Sequence, residues 1–289
     1  MTLNLAERLL PPMTGNRDPE TIDGFGDEWS RFDQADLDPD ERLKYFQDYF
    51  RIFPWETLPE GARGFDLGCG SGRWAQLVAP RVGHLSCLDP ASAALEVAKT
   101  NLIESSNVSF HLAGVDSMPL DDDSQDFGYS LGVLHHVPDT AAALASCVRK
   151  LKPGAPFLVY LYYALDNRPV WFRWVWRSSD RVRRYVAALS PGPRQWTTDL
   201  IAASVYYPLA RGARWAQRLG IPTQSWPLGY YSEASFYTMR TDARDRFGTQ
   251  LEQRFTRLEI EKMMTEAGLA EVRFSESAPF WCAVGFRRG

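Results

Sequence analysis

The chain is poor in the features that make cross-links, metal knuckles and membrane spans. Its four cysteines, Cys69, Cys87, Cys147 and Cys282, stand apart with no CxxC pair among 289 residues. That spacing excludes a disulfide framework and a zinc site and fits a reducing compartment. No apolar run reaches the roughly twenty residues of a membrane span. The start, Met1-Thr2-Leu3-Asn4-Leu5-Ala6-Glu7-Arg8, lacks the basic opening and continuous apolar middle of a signal peptide. The expectation is a soluble, cytoplasmic protein. An excess of positive charge is missing too: 32 Lys and Arg against 36 Asp and Glu leave a net charge of −4, which argues against general nucleic-acid binding. What remains is a 45% hydrophobic chain, ample for a globular core and read as one domain with an insertion.

The densest local signal is Phe65-Asp66-Leu67-Gly68-Cys69-Gly70-Ser71-Gly72-Arg73-Trp74-Ala75, an apolar strand ending, three alternating glycines and a helix start. Glycine at 68, 70 and 72 removes the Cβ atoms that keep backbone away from a ligand and permits the positive φ of a tight turn. A dinucleotide loop spaces its glycines GxGxxG and sets a pyrophosphate on the helix N-terminus. Here the spacing is GxGxG, and Asp66 before it suits a ligand carrying positive charge. S-adenosylmethionine (SAM), with a sulfonium, an ammonium and a carboxylate but no phosphate, is such a ligand. A structural turn without a ligand is the other reading of the loop taken alone.

His84–Asp89 reads as a second strand ending in an acid, about where a doubly wound fold places the carboxylate for both ribose hydroxyls, which marks Asp89. Asn107–Leu112 reads as a third strand, and the loop Ala113-Gly114-Val115-Asp116-Ser117-Met118-Pro119 offers Asp116 and Ser117 to an adenine. Gln125–Leu131 reads as a fourth, followed by Gly132-Val133-Leu134-His135-His136-Val137-Pro138-Asp139. Open parallel sheets bind ligands at the carboxyl ends of strands near the switch in strand order, so the loops after strands one and four face one crevice.

In this order, DLGCGSG, LDP, AGVDSMPL and SLGVLHHVPD resemble the class I SAM-dependent methyltransferases, in the type 11 branch that includes quinone-biosynthesis enzymes and many small-molecule methylases. The resemblance covers roughly residues 60–163. It implies that Gly68, Cys69 and Gly70 contact the methionine part of SAM through the backbone, that Asp89 with Pro90 binds ribose, that Asp116 and Ser117 bind adenine, and that the Leu131 carbonyl receives the ammonium. S-adenosylhomocysteine is the implied product. Gly24–Asp33 is similar to an N-terminal stretch that closes over the cofactor in some members. Trp29 and Arg31 are therefore cofactor candidates, with packing against the domain as the other reading. The implied fold is α/β: a doubly wound, Rossmann-like seven-stranded sheet of order 3-2-1-4-5-7-6 with the last strand antiparallel.

The flanking segments divide the chain into a lid over 1–59, the core over 60–163, an insertion over 164–255 and a completing unit over 256–289. Asp38 N-caps a helix running to Tyr49, with Leu43, Phe46, Tyr49 and Phe50 at helical spacing. Ala91–Asn101 and Thr140–Lys152 read as crossover helices and Phe157–Tyr163 as strand five. Thr256–Ala267 reads as a helix, and Ala270–Ser275 and Phe280–Phe286 as antiparallel strands. The insertion is too long for a loop. Trp171, Trp174, Val175, Val182, Tyr185, Val186 and Leu189 share one helical face and Arg173, Arg177, Arg181 and Arg184 another, which predicts a helical cap over the crevice. Residues 168–218 hold ten arginines against two aspartates, a local charge of +8. This stripe reads as a solvated face, as a grip on an anionic acceptor through Arg177 and Arg181, or as a peripheral membrane contact.

Methyl transfer from a sulfonium mainly requires alignment and exclusion of water. A hydroxyl or acidic-carbon acceptor adds the need for a base, for which His135 and His136 are the candidates; a structural role at the turn is the alternative. Tyr160 and Tyr162 share a strand face and, with Tyr230 and Tyr237 where the insertion returns, are candidates to line an acceptor pocket; core packing explains them equally well. The expected function is SAM-dependent methylation of a small-molecule acceptor, such as a secondary metabolite, a sugar or a quinone-like compound. Methylation of a lipid, isoprenoid or lipid-linked sugar at a membrane surface, and a non-catalytic SAM-binding sensor, are the alternatives. The acceptor and the oligomeric state are not legible.

Overall fold

The computed structural model describes residues 15–34, 36–223 and 226–289. Met1–Arg8, read for targeting features, lies outside them. Two helices precede the sheet, α1 (Pro19–Arg31) and α2 (Pro39–Phe50). Both open on Asp-Pro. The Asp18 carboxylate accepts from the Thr21 N–H, that of Asp38 from the N–H groups of Asp40 and Glu41, and proline fills a first-turn position that needs no donor.

The sheet runs β1 (Arg63–Leu67), β2 (His84–Asp89), β3 (Val108–Leu112), β4 (Phe127–Leu131), β5 (Pro156–Tyr160), β6 (Leu269–Phe274) and β7 (Ala283–Arg287), in the order 3-2-1-4-5-7-6. The first five strands pair in parallel, and β7 lies antiparallel to both β5 and β6. Strands β1, β2, β4 and β5 are near-continuous buried runs, as parallel strands covered on both faces must be, while the edge strands β3 and β6 keep exposed positions. Helices α3 (Ala75–Val78) and α4 (Ser92–Asn101) join α2 in covering one face. There Phe46, Phe50, Ala75, Leu95 and Ala98 pack with Phe127 and Tyr129. Helix α5 (Thr140–Lys150) covers the other face, where Leu144 and Cys147 pack with Phe65 and Phe157. All four cysteines are buried and free.

Chain order then enters the insertion: α6 (Val170–Ala187), α7 (Pro191–Ile201), a π-helical turn over Ala202–Tyr206, α8 (Tyr207–Arg218) and α9 (Phe236–Gly248). Pro208 explains the π turn, since it cannot donate to the Ser204 carbonyl and its ring crowds that group. Helix α9 packs against α6 and α7 on one side and α1 on another, around Val186, Tyr206, Met239 and Phe247. Of the apolar face read over 171–189, only Val186 is buried and Leu189 partly so; Trp171, Trp174, Val175, Val182 and Tyr185 are exposed. Arg183, by contrast, is buried, because the Thr249 carbonyl accepts from it at 2.8 Å and Asp180 pairs with it at 2.8 Å.

Helix α10 (Arg257–Glu266) opens with a capping box in which Thr256 and Glu259 satisfy each other's backbone N–H groups. The last two strands differ from expectation at their facing ends. The Ser275 N–H donates to the Cys282 carbonyl at 2.8 Å and the Cys282 N–H to the Pro279 carbonyl at 3.1 Å, so Phe280–Cys282 belong to the connection. Strand β5 likewise stops at Tyr160, after which Tyr163 bridges to Phe255 and leads the chain into the cap.

Candidate functional site

The glycine loop leaves β1 with φ of +75° at Gly68, +54° at Gly70 and +77° at Gly72. A Cβ on Gly68 would stand 2.4 Å from a Val133 methyl, and one on Gly70 2.9 Å from the Trp29 indole. The loops after β1 and β4 and helix α1 therefore meet here with no room for a side chain. Asp89, at the end of β2, is buried and supports the loop: Oδ2 accepts from the Gly70 N–H at 2.9 Å and Oδ1 from the Ala91 N–H at 2.8 Å. Burial raises its carboxyl to about 6 against the pull of those two donors. Each oxygen keeps a lone pair for a further donor. Asp66 has a different place from the one its charge suggests. It lies fully buried, accepts from the Tyr129 hydroxyl at 2.9 Å, and burial pushes it up to about 8.

One pocket collects the loop ends: Gly68 after β1, Pro90 after β2, Gly114 after β3, and Val133 and His136 after β4 line it together with Arg17. Asp116 accepts from Arg17 Nε at 2.7 Å, and Ser117 also accepts from that guanidinium. Trp29 lies over Gly70, with the Arg73 guanidinium 5.9 Å from its ring centroid. Arg31 turns outward and pairs with Asp27 at 2.8 Å. The Cys69 side chain packs into the core beside the loop, and the peptide after Leu131 is held by the Gly132 N–H donating to the Tyr160 carbonyl at 3.0 Å.

His135 and His136 occupy a buried 3-10 turn after β4. Burial holds both imidazoles below their ordinary pKa, His135 the further because His136 adds to the effect. The Tyr162 N–H donates to His135 Nδ1 at 3.4 Å, and the two rings stack at 3.8 Å. His136 Nδ1 lies 2.6 Å from the Leu251 carbonyl oxygen, and Phe25 of α1 meets the ring edge-on at 4.9 Å.

Tyr160 packs on Tyr49 at 5.2 Å and on Tyr162 at 5.9 Å, while Tyr230 packs on Tyr45 at 5.7 Å and on Tyr231 at 5.5 Å. Burial pushes the Tyr49, Tyr160, Tyr162 and Tyr231 phenols well above their usual range, yet each keeps partly exposed surface. These rings gather where α2 and the end of β5 meet the segment before α9. Asp242 and Asp245, one turn apart on α9, join them; burial raises Asp242 to about 6 and raises Asp245 as well. Tyr237 instead accepts from the Gln34 N–H at 3.0 Å beside Phe32. Arg177 and Arg181 are exposed on the outer side of α6, with Arg177 5.9 Å from the Trp174 ring. Sequence reasoning passed over Tyr45, Tyr49, Arg73, Asp242 and Asp245. The only available signal for the aspartates was their i, i+3 spacing, which is common on any solvated helix.

The family described as a methyltransferase domain matches residues 65–159, the span from β1 to β5 that carries the pocket's four loops. This span is a methyltransferase domain. Curated relatives similar to this chain include a ubiquinone biosynthesis O-methyltransferase of Hahella chejuensis, 33% identical over 114 residues that make up 39% of this chain and 46% of that protein. One from Alkalilimnicola ehrlichii is 36% identical over 97 residues, 33% of this chain and 39% of that protein. The chain thus spans less than half the length of these relatives. Among solved structures, a chain of the complex between the Haloferax volcanii Trm112 methyltransferase activator and a methyltransferase matches with a TM-score of 0.52 at 16% identity, over 91% of this chain and 98% of that one. An O-methyltransferase family protein from Burkholderia thailandensis matches with a TM-score of 0.52 at 13% identity, over 93% of this chain and 60% of that one. At such identities the likeness is one of fold.

Proposed function

We propose that this protein transfers a methyl group from SAM to a small-molecule acceptor bound between the core and the cap. The reading is carried by one observation: Gly68 of the glycine loop, Pro90 beside Asp89, and His136 line a single pocket at the carboxyl ends of β1, β2 and β4. These residues fit SAM. The loop has no room for a side chain at Gly68 or Gly70, Ser71 Oγ within it is buried without a hydrogen-bond partner among the described residues, and Asp89 retains acceptor capacity for ribose hydroxyls. Gly68–Gly70 would hold the methionine part, Asp89 and Pro90 the ribose, Asp116 and Ser117 the adenine, and the Leu131 carbonyl the ammonium. SAM supplies a methyl group on a positively charged sulfur, an electrophile with a good leaving group. The chain's own work is to align the acceptor, exclude water with α1 and α9, and receive a proton at His136 Nε2. The aromatic cluster of Tyr45, Tyr49, Tyr160, Tyr162, Tyr230 and Tyr231 offers flat rings with hydroxyl edges, suited to a quinone-like or phenolic biosynthetic acceptor. A cytoplasmic setting agrees with the four free cysteines.

Incubation with methyl-labelled SAM and a phenolic extract tests the reading. Label should appear in a small molecule, and the Asp89→Ala protein should bind SAM at least tenfold more weakly by calorimetry. Absence of both transfer and SAM binding would sink it. A membrane-borne lipid or isoprenoid acceptor is a second reading, favoured by the exposed tryptophans of the cap. Among the described residues, no helix is long and apolar enough to cross a membrane.

A further inference from the structure

Helix α9 brings a carboxylate from the cap to the histidine turn of the core. His136 Nε2 stands 3.9 Å from Asp245 Oδ1; both atoms are buried, and neither has a hydrogen-bond partner among the described residues. A carbonyl oxygen can only accept, so the 2.6 Å contact with Leu251 requires the proton on Nδ1 and leaves the Nε2 lone pair facing Asp245. Two acceptors then oppose each other across a gap too long for a hydrogen bond but short enough to stabilise a proton that arrives between them. The second carboxylate oxygen accepts from the Tyr162 hydroxyl, and Tyr162 is itself stacked on His135 and has the Arg254 guanidinium 4.9 Å from its ring centroid. The arrangement is held from both sides. Arg244 ties α9 to Asp27 of α1 at 2.7 Å, and Glu252 sits between Arg246 and Arg254 at 3.2 and 2.7 Å.

Given methyl transfer as the reaction, we propose that Asp245 is the positioning residue that makes His136 a competent base, and that the acceptor is methylated on a hydroxyl group. A lone pair of the acceptor oxygen forms the new C–O bond while the C–S bond breaks and leaves its electron pair on sulfur. The O–H electron pair stays with oxygen, and the proton moves to His136 Nε2. The positive charge lost at sulfur reappears on an imidazolium beside Asp245, so atoms and charge balance without another reactant. Methylation of a sulfide or a tertiary amine releases no proton and gives this pair nothing to do. The other titratable groups facing it are Glu252 and Arg254 from the cap's return segment, His135 in its own turn, Glu28 of α1, Arg73 of the glycine loop, and Asp242 one turn earlier on α9. Asp245 and Glu252 favour the imidazolium, against burial and Arg254.

A side-chain nitrogen NMR titration of the full chain reads this directly. There are four histidines to resolve, and His84→Gln and His111→Gln proteins simplify their assignment. At high pH the His136 proton should reside on Nδ1. In Asp245→Asn, which can still accept from Tyr162, the His136 midpoint should fall by about one pH unit or more, and Asp245→Glu should recover part of the shift. An unmoved midpoint in Asp245→Asn, or a proton on Nε2 in the parent chain, overturns the assignment; the second measurement needs no variant to fold. SAM calorimetry on the same proteins separates the two levels. Parental SAM affinity with a displaced His136 midpoint supports the pair, whereas a parent chain that binds no SAM removes the reaction and the proposal with it.

Discussion

Asp66 precedes the glycine loop in sequence but lies within the sheet, with its carboxyl pushed up to about 8 by burial. An unfolded aspartate titrates near 3.9. Between roughly pH 4 and 8 the folded chain therefore holds a proton there that the unfolded chain has lost, and stability falls as pH rises, by up to about 1.4 kcal/mol per pH unit. Asp89, raised to about 6, acts with the same sign below that pH; His135 and His136, both lowered, act with the opposite sign below about 6.5. Above that value Asp66 can be read with least interference. Asp66→Asn preserves an acceptor for Tyr129 and removes the titration, so its urea-unfolding free energy should gain on the parent's from pH 6.5 to 8. A constant difference would mean that Asp66 is ionised in the folded chain. The residue type was visible in the sequence, but its state depends on burial within the sheet, which raises the carboxyl against the opposing pull of the Tyr129 hydroxyl from β4.

The glycine loop joins strand to helix only in a conformation that L side chains rarely adopt. Gly68 has φ +75° and its missing Cβ would meet Val133 at 2.4 Å, while Gly132 has φ +78° with nothing within 4 Å. Gly132→Ala should cost only the left-handed backbone penalty, about 1–2 kcal/mol. Gly68→Ala should cost more, because Val133 has to shift as well, and it should weaken SAM binding. Urea denaturation and calorimetry of both variants check this, and equal costs would contradict the packing described. Element starts were legible where a side chain marks them, as Asp38 does for α2 and Thr256 with Glu259 for α10. Ends were less so. Strand β5 stops at Tyr160 and β7 begins only at Ala283 because pairing with distant partners, not local pattern, decides where a ladder closes.

For the whole molecule, the unexpected feature is the outer side of the cap. Trp171, Trp174, Trp196 and Trp215 are 49%, 60%, 69% and 66% exposed. Arg177, Arg181 and Arg184 share the outer side of α6, in a stretch whose local charge is +8. Two copies pressed together through that side would oppose like charges, whereas an anionic lipid surface would meet charge and aromatic rings at once. In sedimentation assays, vesicles containing phosphatidylglycerol should retain the protein, neutral vesicles should retain less, and Trp174→Ser with Trp196→Ser should release it. Equal partitioning to both vesicle types would remove the membrane reading. The sequence by itself determined the sheet, its strand order by family resemblance, and the loops that meet at one crevice, because glycine spacing, buried apolar runs and capping residues leave local marks. Only the tertiary structure decided that Trp171 and Trp174 of α6 face outward while Trp176 turns to Arg246 and Arg254, that Arg183 is buried, and that Asp245 confronts His136. Those outcomes depend on which surfaces of the cap and core touch, and a carboxylate on a helix looks the same in sequence whether it meets water or a histidine.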